Sequence, residues 1–236
     1  IKLNTDYKNI KVIGFDADDT LWVNETYFRE AEMAFAKLLS EYETPNKIDQ
    51  ELFKMEMNNL PLYGYGVKAF VLSMVESALE LSNHNVSHKT LEAILNIGKD
   101  MLNKPVELLD GVEEVLSAVS KKYRLILATK GDLLDQERKL EKSGLTNYFH
   151  HIEVLSDKKE ANYSKLLKHL DIEPSEFLMI GNSLKSDVLP LVNINANAIH
   201  VPFHTTWAHE EVTEKETNGK AYKTINSLPD ILKMLD

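Results

Sequence analysis

Short apolar runs along the chain alternate with longer segments in which apolar residues recur every three or four positions. The short runs predict buried strands, and several of them end in small or polar residues. They are Lys11–Asp16, Arg124–Thr129, Ile152–Leu155, Phe177–Gly181 and Ala198–Val201. The longer segments predict helices at Gly111–Lys121, Leu133–Ser143, Tyr163–Leu170 and, more briefly, around Lys185–Val192. Strand, helix and strand at this spacing imply right-handed crossovers, so we predict an α/β fold with a mostly parallel sheet and helices on both faces.

One long stretch lacks the strand pattern. From about Asn24 to Asn103 the apolar spacing is helical throughout. It predicts four helices, at Thr26–Leu39, Gln50–Asn59, Val67–Leu81 and Lys89–Met101. We therefore predict an inserted all-helical cap domain, residues 23–104, and a core domain formed by residues 1–22 and 105–236.

Two further segments carry local signals. Leu60–Gly66 contains Pro and Gly and predicts a loop that presents Tyr63 and Tyr65. We interpret these tyrosines as candidate substrate contacts, with ordinary packing as the alternative. Asn226–Asp236 predicts a closing helix with Ser227 as its N-cap.

Composition and charge narrow the possible functions. The chain has 27 Lys and Arg against 37 Asp and Glu, a formal net charge of -10, which argues against a nucleic-acid-binding surface. The absence of cysteine excludes disulfides, thiolate catalysis and cysteine-based zinc sites, and it suits a reducing cytoplasm. No apolar run approaches the roughly 18 residues needed to cross a bilayer. We expect a cytoplasmic globular protein, a monomer or weak dimer, that binds neither nucleic acid nor membranes.

Three acids, Asp16, Asp18 and Asp19, directly follow the first predicted strand. Acids at the end of an apolar strand are costly unless a cation or a reaction needs them. One carboxylate can attack phosphorus to form an aspartyl-phosphate, and a second can protonate the leaving oxygen and then activate water. Mg²⁺ prefers hard oxygen ligands and would offset repulsion of a phosphate dianion. For an isolated motif of this kind, an acidic turn or a helix N-cap is the alternative.

Four motifs in this order resemble the haloacid dehalogenase superfamily, most of whose members are phosphatases. The counterparts are Asp16–Thr20 after the first strand, Thr129 at the end of the second, Lys158 downstream and Gly181–Asp187 after the fourth. The resemblance covers essentially the whole chain, because the helical insertion matches a cap. It implies a Rossmann-like core and Mg²⁺-dependent hydrolysis of a small phosphorylated metabolite.

The resemblance also implies roles for individual residues. Asp16 would be the nucleophile and Asp18 the acid and base. The Thr129 hydroxyl and the backbone N–H groups of Lys130 and Gly131 would hold the phosphoryl oxygens.

Lys158 would neutralise the phosphate and position the nucleophile, with the adjacent Lys159 as a rival. The implied metal ligands are Asp16, Asp18, Asn182 and Asp187.

Two positions depart from the family pattern. Asn182 stands where an acid is usual, so one metal ligand would be a neutral oxygen and Mg²⁺ would bind more weakly. Asp19 replaces the usual Gly, and we expect it to cap or orient the loop. The second acid, Asp18, favours phosphoryl transfer over dehalogenation, which needs no Mg²⁺ and lacks an acid there.

Several alternatives stay open at the level of sequence. They are a phosphomutase of the same family, a catalytically weak binding or regulatory member because of Asn182, and a receiver-like phosphoacceptor, which the helical insertion disfavours. The segment after the fifth strand contains His200, His204 and His209. We expect this segment to border the active site, with a second metal site or substrate recognition as the alternatives.

Overall fold

The computed structural model describes residues 7–235, and the chain forms two compact units. The first contains the residues up to Glu25, Val106–Lys130 and those from Glu137 onward. The second contains Thr26–Pro105 and Gly131–Gln136. The long helical stretch and the alternating stretches thus form separate units, except that the short segment after the second strand groups with the helices.

Six parallel strands form the sheet of the first unit, in the order β3-β2-β1-β4-β5-β6. They are β1 Val12–Phe15, β2 Arg124–Lys130, β3 His151–Leu155, β4 Phe177–Gly181, β5 Asn197–His200 and β6 Lys223–Thr224. The predicted α/β, Rossmann-like class is confirmed. The last strand was not predicted, because it is a two-residue pairing at the edge with no apolar run.

The described residues form nine α-helices. They are α1 Glu25–Leu38, α2 Pro45–Tyr63, α3 Val67–Leu81, α4 His88–Asn103, α5 Val112–Val119, α6 Leu133–Lys142, α7 Glu160–Leu170, α8 Leu189–Asn193 and α9 Glu214–Thr217. The helices α1–α4 belong to the second unit apart from Glu25, the first residue of α1, and α6 begins in the segment that groups with them.

The central strand β1 is buried on both faces, as the predicted parallel sheet requires. Successive side chains of a strand point to opposite faces. Ile13 and Phe15 therefore join one core cluster with residues of α5, while Val12 joins a second cluster with residues of α7. Helices on both faces are thus confirmed, and the sheet presents the carboxyl ends of its strands at one edge.

The predicted loop Leu60–Gly66 is wrong in its first half. The helix α2 continues through Pro61 to Tyr63, and only residues 64–66 connect it to α3. Pro61 lies in the last turn, where its missing N–H removes a single intrahelical bond. The helix ends at Gly64, whose φ of 73° is strained for residues with a side chain.

The C-terminal segment begins as predicted but winds more tightly. Ser227 precedes the first turn, and its backbone N–H and hydroxyl both donate to the Asp230 carboxylate. The segment Leu228–Lys233 is a 3₁₀ helix rather than an α-helix, which is common for such short pieces. The predicted end of the segment, Asp236, lies outside the described residues.

None of the helices formed by residues 7–235 has both the length and the apolar character needed to cross a membrane.

Candidate active site

The candidate nucleophile Asp16 directly follows β1. Its backbone N–H donates to the carbonyl of Ile180 at 2.9 Å, which continues the β1–β4 pairing by one residue. Its side chain is buried, and the Lys158 ammonium lies 2.5 Å from its Oδ1. The same ammonium lies 2.6 Å from Oδ1 of Asp187. Lys158 thus joins the first and the last motif through one buried cation.

Burial controls the protonation of this cluster. It raises the pKa of Asp16 to about 7, against the opposing effect of the Lys158 ammonium and with a further increase from Asp187. Burial also disfavours the charged lysine, but Asp16 and Asp187 outweigh it, so the pKa of Lys158 lies well above its ordinary value. Lys158 therefore stays an ammonium ion throughout the working pH range.

Of the two adjacent lysines, only Lys158 reaches this cluster. Lys159 pairs with Asp157 at 2.7 Å, and 73% of its side chain is exposed. The geometry therefore places Lys158, and not Lys159, in the position that the resemblance implies.

The second acid of the first motif, Asp18, is held by two donors on one oxygen. The indole Nε1 of Trp22 donates to Asp18 Oδ1 at 2.8 Å, and the ammonium of Lys139 lies 2.6 Å from the same atom. Sequence reasoning did not single out Lys139. Its spacing on α6 is typical of a solvated lysine, and its contact depends on two residues 121 positions apart.

Asp19 has the capping role predicted for it. Its carboxylate accepts backbone N–H groups from Asn24 and Glu25 at the start of α1, at 2.8 to 3.1 Å. Its φ of 63° lies in the left-handed region, which Asp tolerates better than most residues. Burial raises the pKa of Asp19 to about 7, while these N–H groups oppose the shift. The bulk at the usual Gly position thus serves the loop.

The last motif, Gly181–Asp187, forms a tight turn into a π-helical segment at Leu184–Val188. The backbone N–H of Ser183 donates to Asp187 Oδ2 at 3.0 Å. A Cβ at Gly181 would lie 2.3 Å from that same oxygen, so only Gly lets Asp187 fold back onto the turn.

Asn182 faces the first motif. Its backbone N–H donates to Thr20 Oγ1 at 3.0 Å, and its Oδ1 lies 3.3 Å from the same hydroxyl. Thr20 in turn lies 2.9 Å from Asp16 Oδ2. The carbonyl of Asn182 accepts from His200 Nε2 at 3.0 Å, which fixes that nitrogen as the protonated one. The structure therefore brings Asn182 beside the nucleophile.

The residues of the second motif lie at the end of β2. Thr129 is buried, and its hydroxyl donates to the carbonyl of Lys130 at 3.2 Å. Gly131 follows with a φ of 122°, and a Cβ there would lie 2.9 Å from Gln136 Nε2. This backbone turn requires Gly.

The side chain of Lys130 joins a network that the sequence did not predict. Its ammonium lies 2.6 Å from Glu210 Oε1 and 3.0 Å from Ser186 Oγ. The hydroxyls of Ser183 and Ser186 donate to Glu210 Oε2 at 2.5 and 2.6 Å. Although burial opposes it, Lys130 and the two hydroxyls lower the pKa of Glu210 to about 2.

Glu210 belongs to the segment after β5 that carries the three histidines. Through Glu210 and His200 this segment contacts the last motif, so the expectation that it borders the site is confirmed. His204 and His209 instead pack against the rings of Phe203 and Trp207. Within residues 7–235 no three histidine or carboxylate side chains form a group able to hold a metal ion.

The candidate substrate residues Tyr63 and Tyr65 lie in the helical unit. The hydroxyl of Tyr63 donates to Glu76 Oε1 at 2.9 Å, on α3. Their contact with a substrate stays a prediction.

The donor set of the site fits a hard divalent cation, although with fewer charges than three carboxylates would give. Asp16 and Asp187 offer carboxylate oxygens that one lysine already bridges. The remaining candidates are the neutral Oδ1 of Asn182 and oxygens of Asp18. The raised pKa of Asp16 also indicates a buried carboxylate that a cation would stabilise.

Comparison with known proteins agrees with this geometry. The description of the haloacid dehalogenase-like hydrolases matches residues 10–195. A haloacid dehalogenase-like family hydrolase from Xanthomonas campestris has 37% sequence identity and a TM-score of 0.84, over 97% of this chain and 92% of that one.

Two curated relatives cover nearly the whole chain at lower identity. N-acylneuraminate-9-phosphatase from Mus musculus is 22% identical, over 96% of this chain and 95% of its own. Glyceraldehyde 3-phosphate phosphatase from Methanothermobacter thermautotrophicus is 22% identical, over 96% of this chain and all of its own. The chain is an enzyme that belongs to the haloacid dehalogenase-like hydrolase family.

Proposed function

We propose that the chain is a phosphatase that hydrolyses a small phosphomonoester through an aspartyl-phosphate on Asp16. The observation that carries this proposal is the single Lys158 ammonium between Asp16 and Asp187. A buried cation at this point lowers the repulsion between the nucleophilic carboxylate and an incoming phosphate dianion. Both curated relatives are named as phosphatases, which supports the same reaction class.

In the first half of the reaction an Asp16 oxygen forms a bond to phosphorus while the bond to the ester oxygen breaks. Asp18 gives its proton to that ester oxygen, so the leaving group departs as a neutral alcohol. The Thr129 hydroxyl and the N–H groups of Lys130 and Gly131 hold the phosphoryl oxygens. Lys158 keeps its proton and orients the nucleophile.

In the second half, water attacks the phosphorus of the aspartyl-phosphate. Asp18, now a carboxylate, takes a proton from this water, and the bond between phosphorus and Asp16 breaks to release phosphate. Both aspartates then return to their starting state, and Lys158 again pairs with Asp16.

We further propose Mg²⁺ as the cofactor, held by Asp16, Asp18, Asn182 and Asp187. The ion would neutralise phosphoryl charge in the transition state. The neutral Asn182 should make its binding weaker than three carboxylates would.

The helical unit is proposed to act as the cap that selects the substrate, with Tyr63 and Tyr65 as candidate contacts. The names of the relatives suggest two classes to try first, a sialic acid phosphate and a triose phosphate. A second candidate function, a catalytically weak binding or regulatory protein, is favoured only by the missing acid at Asn182.

The test is phosphate release from p-nitrophenyl phosphate with Mg²⁺, comparing the wild type with Asp16→Asn and Asp18→Asn. We expect hydrolysis by the wild type and a loss of at least about 100-fold in each variant. Equal background rates in all three proteins would refute the enzymatic proposal and favour the binding protein. Full activity in EDTA would refute the metal requirement alone. A panel of phosphorylated metabolites would then identify the substrate.

A further inference from the structure

Lys139 makes a contact with the acid of the first motif that no motif assigns. It lies in the second half of α6, and its ammonium is 2.6 Å from Asp18 Oδ1 and 3.3 Å from Asn24 Oδ1. The indole of Trp22 donates to the same Asp18 oxygen. Two donors from separate elements therefore converge on one carboxylate oxygen.

Both donors are held in place by their surroundings. Trp22 is almost fully buried, its carbonyl accepts from Asp19, and its backbone pairs with Leu108. The side chains of Lys139 and Asp18 are only 18% and 24% exposed. An ion pair this well shielded from water holds its geometry better than a surface pair.

We propose that Lys139 is a positioning residue that holds Asp18 for proton transfer to the leaving group, an inference that rests on the proposed function. When Asp18 gives its proton to the ester oxygen, negative charge develops on the carboxylate beside the ammonium. Lys139 keeps its own proton throughout. The ion pair therefore stabilises the transition state of this step more than the starting neutral acid.

The same contact has the opposite effect in the second half of the reaction. There Asp18 takes a proton from water and loses its negative charge, so the ammonium loses part of its partner. Lys139 should thus favour departure of the leaving group and oppose activation of water. A purely structural ion pair, which only anchors α6, would affect both halves alike.

Two aryl esters separate these roles, because they are similar in shape and differ in how much their leaving group needs a proton. Nitrophenolate leaves p-nitrophenyl phosphate readily without protonation, whereas phenolate leaves phenyl phosphate poorly. The value of kcat/KM for each ester covers the steps up to departure of the leaving group. We would measure it for the wild type, Lys139→Met and Lys139→Arg. The matched control is Lys142→Met, an exposed lysine three residues further along α6.

We expect Lys139→Met to lower kcat/KM for phenyl phosphate by roughly tenfold more than for p-nitrophenyl phosphate. With phenyl phosphate, kcat should fall less than kcat/KM, since kcat includes the activation of water. Lys139→Arg should retain most of the activity on both esters, and Lys142→Met should match the wild type.

Equal losses on the two esters, or no loss on either, would overturn the role of Lys139. A wild type that hydrolyses neither ester would instead refute the proposed function and this inference with it, so the two failures are distinguishable. Thermal unfolding followed by circular dichroism checks that each variant folds. If Lys139→Met does not fold, Lys139→Gln takes its place in the same comparison.

Discussion

Substitution of Glu210 by Gln tests the network that joins the second motif to the last one. The side chain is only 12% exposed, and its two oxygens accept from Lys130, Ser183 and Ser186. Glutamine keeps the shape but removes the charge that faces Lys130. It also places amide hydrogens where carboxylate oxygens accept at present. We expect a folded protein with a markedly less stable first unit.

The magnitude follows from the pKa of Glu210, which is lowered from 4.5 to about 2. At about 1.4 kcal/mol per pKa unit, a shift of about 2.5 units corresponds to about 3 kcal/mol of unfolding free energy at neutral pH. Because the folded pKa is depressed, this contribution is fully present above pH 4.5. It is lost as the pH falls from 4.5 through about 2.

The assay is urea unfolding from pH 7 down to pH 3, followed by tryptophan fluorescence. Both tryptophans, Trp22 and Trp207, lie in the first unit, so the signal reports on the unit that contains Glu210. Glu211→Gln is the matched control, because Glu211 is exposed and adjacent in the chain. The stability difference between Glu210→Gln and the wild type should be largest at pH 7 and shrink below pH 4.5. A difference under about 0.5 kcal/mol at pH 7, or one that does not change with pH, would refute the reasoning.

Three further substitutions probe other parts of the chain. Asp19→Ala should lower the unfolding free energy by about 1–3 kcal/mol through loss of the α1 cap and a left-handed φ, whereas Asp19→Asn should cost under about 1 kcal/mol in the same urea assay. Asn182→Asp should tighten Mg²⁺ binding by roughly tenfold in isothermal titration calorimetry, and an unchanged affinity would exclude this position from the metal site. Ser77 is buried in the helical unit, and its hydroxyl has no hydrogen-bond partner among residues 7–235, so Ser77→Ala should be neutral or stabilising by about 1 kcal/mol. Ser73→Ala should instead destabilise by about 1–2 kcal/mol, because it leaves the buried Asn59 amide without its acceptor; a reversed order of these two serine variants in thermal unfolding would contradict both estimates.

The strands were predictable from the sequence because buried parallel strands need continuous apolar runs. Each of the five predicted strands matches the structure to within one residue at either end. The failure at Leu60–Gly66 has a local cause, since Pro and Gly punctuate both loops and last helical turns. Here the helix continues past Pro61 and only Gly64 ends it.

The motif residues of the site were also predictable, because their positions at strand ends bring them to one edge of the sheet. Lys139 and Glu210 were not, although each makes a contact as short as those of the motifs. A lysine on a helix and a glutamate in a loop are ordinary surface residues in sequence terms. Only the tertiary fold shows that their charges meet buried partners.

The charges of the site bear on the missing acid at Asn182. Each lysine meets its own carboxylates: Lys158 with Asp16 and Asp187, Lys139 with Asp18, and Lys130 with Glu210. In this set four carboxylates face three ammonium ions, so a phosphate dianion would approach a cluster with one net negative charge. An acid in place of Asn182 would make that charge two and raise both the affinity for a divalent cation and the need for one. The neutral amide therefore weakens metal binding and, at the same time, lowers the repulsion that the metal must offset, so weak Mg²⁺ binding and an active phosphatase are compatible in this chain.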